Sequence, residues 1–211
     1  MNTLKLFIAL LSVFTLSACD KKESLFNGKN LDGWTCYLAD STPVNAVYSA
    51  KDGAINIKGK PFGFIRTNKT YSNFRLQLKW RYVNEEGNSG IFVFVQDEMK
   101  IWPNAIECQL MKGRNGDFVL LGGSDIAEFK TPDGTPRPKF PVVKRFCDEG
   151  IKPAGQWNEA DIICKDGTIE VKMNGILKNK GTKSMHKSGF IALQSEGNEI
   201  EFKDIVLTPI K

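Results

Sequence analysis

The stretch from Tyr71 to Phe118 constrains the fold most, because it predicts three successive β-strands. Apolar and polar residues alternate without interruption over Phe74–Tyr82, as in a strand with one buried and one solvated face. Ile91–Val95 is apolar at every position and predicts a central strand that is covered on both faces. The chain offers no apolar helical stripe longer than about two turns, so a β fold is favoured.

The third of these strands, Ile106–Leu110, carries the first candidate for chemistry. Successive side chains of a strand point to opposite faces, so Glu107 and Gln109 share one face and their three apolar neighbours share the other. Two interpretations stay open at this point. The pair is either the wet face of an ordinary antiparallel sheet, or part of a sugar-binding cleft in which Glu107 acts as an acid or a base.

The rest of the chain predicts more short strands with turns between them. Asp166-Gly167 and Asn174-Gly175 separate alternating runs and are typical of hairpins. Five prolines between Leu120 and Pro153 exclude a regular helix or central strand there, and so long an irregular stretch is usually functional or mobile. The further strands are predicted at Ala54–Lys58, Phe62–Thr67, Thr168–Met173, Gly189–Gln194 and Ile200–Leu207. Together they predict an all-β jelly-roll sandwich of two antiparallel sheets.

Composition limits the classes of function. With 211 residues, of which 41% are hydrophobic, the chain suits one domain with a full core. The net charge of +5 is spread evenly, so we expect no nucleic-acid partner. A single histidine and the absence of a C-x-x-C motif predict no metal site and no cofactor, although a structural calcium stays open. Four cysteines follow Cys19 and allow three pairings, but we expect no essential disulfide.

The first 19 residues have the pattern of a bacterial lipoprotein signal. Lys5 precedes an apolar run, and Leu16-Ser17-Ala18-Cys19 resembles a lipobox. We therefore predict a signal peptide over residues 1–18, a lipidated Cys19 with a tether through residue 24, and a single domain over residues 25–211. The mature chain is then expected to be held in the bacterial cell envelope by its lipid. The sequence predicts neither which membrane carries it nor its oligomeric state.

Short motifs that cover nearly all of the chain after the tether resemble one known family. They are Leu25–Trp34, Tyr71–Phe74, Gly87–Phe92, Ile106–Gln109, Gln156–Asn158, Met173–Gly175, Gly189–Gln194 and Ile200–Ile205. In these motifs the chain resembles the 3-keto-disaccharide hydrolase family, formerly a domain of unknown function with a concanavalin A-like jelly-roll fold. The Trp-Pro-x-x-Ile-Glu-x-Gln-Leu motif that starts at Trp102 resembles one branch of that family.

The resemblance implies cleavage of glycosides that carry a ketone at C3, by hydrolysis or by β-elimination. The ketone acidifies the proton on C2, so one base can remove it and the C1 substituent can then leave, with water added later. This chemistry does not need the two opposed carboxylates of ordinary glycosidases. The sugar, its linkage and its anomer are not specified by the sequence.

The resemblance also nominates site residues. Glu107 is the expected catalytic acid or base, and Gln109 is expected to hold a sugar hydroxyl or the enolate oxygen. Asn88 has turn capping as its alternative role, Trp102 has core packing, and Arg66 has a surface ion pair. The full set of expected substrate-binding residues is Gln109, Asn88, Trp102, Gln194, Arg66 and Asp117.

Two departures from the family pattern support a rival interpretation. Many members carry a histidine shortly after the Leu-Gln pair, where this chain has Ser195-Glu196, and many carry an arginine where Phe94 stands. A lipid-anchored carbohydrate-binding module without catalysis would fit these losses. A purely structural envelope lipoprotein is the third interpretation.

Overall fold

The computed structural model describes residues 21–211, which form fifteen strands and one short helix. The predicted signal peptide and Cys19 lie outside the described residues. The elements, in chain order, are β1 (Glu23–Ser24), β2 (Trp34–Leu38), α1 (Val44–Val47), β3 (Tyr48–Lys51), β4 (Ala54–Ile57), β5 (Gly63–Thr67), β6 (Phe74–Tyr82), β7 (Gly90–Val95), β8 (Ala105–Gln109), β9 (Phe118–Leu121), β10 (Val142–Val143), β11 (Asn158–Lys165), β12 (Thr168–Met173), β13 (Ile176–Gly181), β14 (Phe190–Ser195) and β15 (Ile200–Pro209).

Two antiparallel sheets pack face to face, which confirms the predicted all-β jelly-roll sandwich. The first sheet has the order β13-β12-β11-β6-β15-β4-β3, and β1 adds to β15. The second sheet, which holds the candidate site, has the order β10-β9-β8-β7-β14-β5-β2. The main core lies between them and includes Trp80 and Leu78 from the first sheet and Cys108 and Ile106 from the second. Burial of this apolar surface supplies the main driving force for folding.

Most predicted strands are found within one or two residues of their expected ends. Phe74–Tyr82 and Thr168–Met173 match β6 and β12, and every residue of β7 is buried, as predicted for a covered central strand. Two residues of the predicted tether are part of the first sheet. Glu23 and Ser24 already pair with Leu207 and Val206 as β1, because the edge of β15 offers free hydrogen-bonding groups that a polar dipeptide can use as well as an apolar one.

A bulge in β7 determines where Phe94 points. The pairing of β7 with β14 shifts between Phe190 and Ala192, and Phe94 has a positive φ of 55°. A bulge inserts one extra residue and redirects the side chains beyond it. Phe94 therefore joins Val93 in the core, where its ring meets the ring of Phe74 at 6.2 Å.

The proline-rich segment between β9 and β11 is irregular, as predicted, except for the two-residue edge strand β10. Backbone hydrogen bonds fix its course. The amide of Ala127 donates to the carbonyl of Thr182 at 2.8 Å, and the amide of Phe146 donates to the carbonyl of Lys178 at 2.7 Å. The segment thereby brings Phe140 and Val142 over the outer face of the second sheet.

Two further observations concern residues 21–211 as a whole. Cys36, Cys108, Cys147 and Cys164 are all free thiols. No helix in this range is long and apolar enough to cross a membrane, and the range contains no group of three or more His, Cys, Asp or Glu arranged to hold a metal ion.

Candidate functional site

The candidate site lies on the outer face of the second sheet, on the side away from the main core. The register places Glu107 of β8 opposite Phe92 of β7 and Val119 of β9, and it places Gln109 opposite Gly90. A small apolar cluster that includes Phe92, Val119 and Leu121 lies on the same face. The outer face is therefore neither an ordinary wet face nor a uniform apolar one.

A cavity of about 240 Å³ opens at this point. Its lining combines two carboxyl groups and one guanidinium with amide side chains and an apolar wall. The lining residues are Asn88, Trp102, Glu107, Gln109, Met111, Arg114, Val119, Leu121, Phe140, Val142 and Glu196. The cavity adjoins two open depressions, since it shares Trp102 and Phe140 with one of them and Arg114 and Val142 with the other.

Glu107 is buried in the wall of this cavity, with only 2% of its surface exposed. Its Oε1 atom has no hydrogen-bond partner among the described residues. Burial, together with the nearby charge of Glu196, raises the pKa of Glu107 well above its ordinary value. An unpartnered polar atom inside a protein costs about 1–3 kcal/mol, so the fold keeps this carboxyl group at a cost in stability.

Gly90 makes the space that Glu107 occupies. A β-carbon built on Gly90 would lie 2.7 Å from Cγ of Glu107 and closer still to Oε1. Any other residue at position 90 would have to displace the carboxyl group. The Asn-Ser-Gly motif that ends at Gly90 thus has a steric reason in this structure.

Glu196 is the second carboxyl group of the cavity, and it comes from the residue that follows β14. Gln194 donates a hydrogen bond from Nε2 to Oε2 of Glu196 at 2.6 Å, which fixes the carboxyl group. Burial raises the pKa of Glu196 to about 7, although the hydrogen bond from Gln194 opposes that shift. Gln194 supports Glu196 from behind and does not line the cavity itself.

Gln109 and Asn88 are amides at one end of the cavity. The Oε1 atom of Gln109 accepts hydrogen bonds from the backbone amides of Leu110 and Met111, each at 3.0 Å. These bonds orient the side chain, so its NH₂ group is the part available to a ligand. The Oδ1 atom of Asn88 is buried and has no partner in the part of the chain that the structure describes. Turn capping by Oδ1, the alternative role for Asn88, is not observed.

Trp102 stands at the other end. Its ring meets Phe140 at 5.4 Å in an edge-to-face arrangement and Phe62 at 6.4 Å. The side chain is partly exposed and lines the cavity, so it belongs to the outer face and not to the main core.

Besides Gln194, two other residues expected to bind substrate, Arg66 and Asp117, do not line the cavity. Arg66 of β5 lies over the ring of Phe190 at 3.7 Å, and its Nη2 donates to Asp97 at 2.8 Å, which is the ion-pair alternative. The carboxylate of Asp117 is buried and accepts hydrogen bonds from the backbone amide and from Nη1 of Arg145, both at 2.9 Å. Each group is already paired with an oppositely charged side chain, although Nε of Arg66 has no hydrogen-bond partner among the described residues. Asp117 borders only the adjoining depression.

Sequence reasoning missed two residues that the fold brings to the cavity, Glu196 and Arg114. Arg114 supplies the guanidinium that we expected from Arg66. Glu196 lies two residues after Gln194, so an extended chain places both side chains on the same face of the sheet. That spacing was the signal available in the sequence. No such signal marks Arg114, because it lies in the turn between β8 and β9.

The fold and the cavity define a jelly-roll β-sandwich with an acidic cleft on the outer face of one sheet. Residues 21–208 match the model of the 3-keto-alpha-glucoside-1,2-lyase-like domain family, and the chain belongs to that family. A protein named 3-keto-disaccharide hydrolase from Bacteroides thetaiotaomicron is 27% identical over 166 residues, which cover 69% of this chain and 53% of the relative. The chain thus spans about half the length of that curated relative.

Solved structures show the same fold. A protein from Parabacteroides distasonis, provisionally described as a glycosyl hydrolase, superposes with a TM-score of 0.65 and 20% identity, covering 90% of this chain and 94% of that one. The carbohydrate-binding module CBM66 of Bacillus subtilis superposes with a TM-score of 0.55 and 14% identity, over 83% and 95%. The fold is therefore shared by proteins described as an enzyme and as a binding module, and it does not by itself separate the two functions.

Proposed function

We propose that this domain cleaves 3-keto-glycosides, with Glu107 as a proton-transfer group. The observation that carries the proposal is the buried carboxyl group of Glu107, with an unpartnered oxygen, in the wall of a cavity that opens on the sheet face. Family membership and the name of the Bacteroides relative support the substrate class. A volume of about 240 Å³ is below that of pockets for drug-sized ligands, about 300–1,000 Å³, and suits a single sugar ring.

The residues around Glu107 match what this reaction requires. Removal of the C2 proton forms an enolate, whose negative charge develops on the C3 oxygen and needs donors. The NH₂ group of Gln109 and the guanidinium of Arg114 are donors that line the cavity. The ring of Trp102 offers an apolar face to the sugar, and the side chain of Asn88 adds a further polar group to the lining.

The elimination balances without an added reactant. The C2–H bond breaks as its proton passes to a base, a C1=C2 double bond forms, and the C1–O bond breaks as the departing oxygen takes a proton. Addition of water to the double bond then completes a net hydrolysis. Whether water adds on the protein decides between a hydrolase and a lyase, and product analysis by NMR distinguishes them.

The proposal is tested with the Glu107→Gln variant and a methyl 3-keto-glucoside. We expect turnover to fall by at least about 100-fold, because a positioned acid or base contributes about 10²–10⁴ to the rate, while the thermal unfolding temperature stays at or above that of the wild type. The unoxidised methyl glucoside should be left intact by both proteins. Unchanged turnover in the variant would remove Glu107 from the mechanism.

A second candidate function is carbohydrate binding without catalysis. It is favoured by the residue at position 94. Many family members are expected to carry an arginine at this position, whereas this chain has Phe94, which is packed in the core. Calorimetry and product chromatography on one mixture separate the two functions. Saturable binding of the 3-keto-glucoside with no product would select the binding module.

We also propose that the mature chain is a lipoprotein of the bacterial envelope, anchored through Cys19. The lipobox pattern supports this placement. Fractionation of cells that make the full chain should recover it with membranes, and a Cys19→Ser variant should lose that association.

A further inference from the structure

The second carboxyl group of the cavity, Glu196, has no assigned role in the reaction proposed above. Glu196 and Glu107 line the same cavity from different parts of the sheet, since Glu196 directly follows β14, Glu107 lies on β8, and these two strands lie on either side of β7. Within residues 21–211 neither group takes part in an ion pair. Two carboxyl groups that share a cavity without ion-pair partners, one buried and one partly buried, are costly, and such pairs are typical of proton-transfer sites.

The surroundings of the two groups differ in a way that separates their roles. Glu107 is almost fully buried and has an oxygen without any donor, so its neutral form is favoured. Glu196 is less buried and accepts a hydrogen bond from Gln194, which favours its charged form. Arg114 is the one cation among the lining residues. When the pair holds a single proton, that proton therefore resides on Glu107, since two nearby carboxyl groups do not both ionise readily.

We propose that Glu196 is the base that removes the C2 proton and that Glu107 is the acid that protonates the departing glycosidic oxygen. This inference rests on the proposed function and assigns its two proton transfers. The carboxylate of Glu196 takes the C2 proton, the electron pair of the C2–H bond forms C1=C2, and the C1–O bond breaks. The proton of Glu107 passes to the leaving oxygen, so the pair ends with the proton on Glu196 and the charge on Glu107.

Proton abstraction can be measured separately from bond cleavage with a ketone that has no leaving group. In 1,5-anhydro-3-keto-glucitol, C1 carries two hydrogens and the ring oxygen but no glycosidic substituent, so a base can exchange the C2 proton for deuterium in D₂O while no aglycone can be eliminated. We expect Glu196→Gln to slow enzyme-dependent C2 exchange by about 100-fold or more. Glu107→Gln should keep exchange within a few-fold of the wild-type rate.

Leaving-group dependence provides the complementary measurement. Glu107→Gln should lose about 100-fold or more on methyl 3-keto-glucoside but less than about tenfold on the 4-nitrophenyl analogue, whose leaving group needs no proton. Glu196→Gln should be impaired on both substrates. Glu149→Gln is the matched control, because Glu149 is exposed and outside the cavity, and it should keep wild-type rates in every assay.

The outcomes separate this inference from the proposed function. If the wild type neither cleaves a 3-keto-glycoside nor exchanges the C2 proton, the proposed function fails, and the inference fails with it. If the wild type cleaves the substrate but Glu196→Gln exchanges at the wild-type rate, or if Glu107→Gln alone loses exchange, only the assignment of the base is overturned. Thermal unfolding verifies that each variant is folded, and Glu196→Ala replaces Glu196→Gln if the glutamine is not tolerated.

Discussion

Gly90 should be the position at which the addition of a single methyl group disturbs the site most. In Gly90→Ala the new methyl group would lie 2.7 Å from Cγ of Glu107 and closer to its Oε1. The backbone of Gly90 does not have the left-handed conformation that strains other residues, so the cost is steric. Forcing an extra methyl group into a packed site costs about 1–3 kcal/mol. Without a clash, the loss of glycine freedom in the unfolded chain would stabilise the protein by about 0.4–1 kcal/mol.

A double-mutant cycle isolates this clash. Glu107→Ala removes all three atoms that the methyl group would meet, so Gly90→Ala should then be neutral or slightly stabilising. We therefore expect a coupling free energy of about 2–3 kcal/mol between the two positions, as is usual for residues in direct contact. Urea unfolding of the four proteins at pH 5, followed by tryptophan fluorescence, measures it. Equal costs of Gly90→Ala in both backgrounds would show that Gly90 does not make room for Glu107.

Two further predictions concern charge. Burial raises the pKa of Glu196 to about 7 and that of Glu107 well above 4.5. Both groups therefore stabilise the fold most below about pH 4.5, where they are protonated in the folded and in the unfolded chain. This stability is lost as the pH rises through the pKa values of the folded state. Because Glu196 is partly exposed, we expect it to account for a fall of only about 1–2 kcal/mol in the free energy of unfolding between pH 5 and pH 8, and Glu196→Gln should remove that fall. For Asp117→Asn we expect a loss of about 2–3 kcal/mol in a urea titration, since Arg145 loses its buried partner but keeps the carboxylate of Asp148 and the carbonyl of Gly113. The KM for a 3-keto-glycoside should not change in Asp117→Asn, and a raised KM without a loss of stability would instead indicate substrate binding.

The elements that sequence predicted well are those that local pattern determines. Alternation along Phe74–Tyr82 and the turn pair Asn174-Gly175 specify a strand and a hairpin without knowledge of the rest of the chain. The same alternation placed Glu107 and Gln109 on one face, which the structure confirms. The bulge at Phe94 was not predictable in this way, because it depends on how β7 pairs with β14, about 100 residues later.

The composition of the cavity depended on non-local pairing even more. Nothing local in the sequence separates Arg66 from Arg114 as the cation, but in the second sheet two strands, β7 and β14, lie between β8 and β5, whereas the β8–β9 turn directly follows β8. Glu196 meets Glu107 only because β14 and β8 both pair with β7. The alternation of side chains along a strand predicts the face on which each one lies, whereas the order of strands in the sheet determines its neighbours. No short motif specifies that order.

The environment that Glu107 requires in this cavity also explains why the site lowers the stability of the fold. The apolar wall of Val119, Leu121 and Phe140 withholds water from Glu107. That wall raises the pKa of Glu107 and so favours its protonated form, as an acid catalyst requires, but it leaves an oxygen without a partner. A wetter wall would satisfy that oxygen and lower the pKa, so the acid would be lost. A drier site without Gln194 would leave Glu196 neutral as well, so the base would be lost. The differences in burial and hydrogen bonding between Glu107 and Glu196 are therefore what would allow one acid and one base to coexist in a cavity of this size.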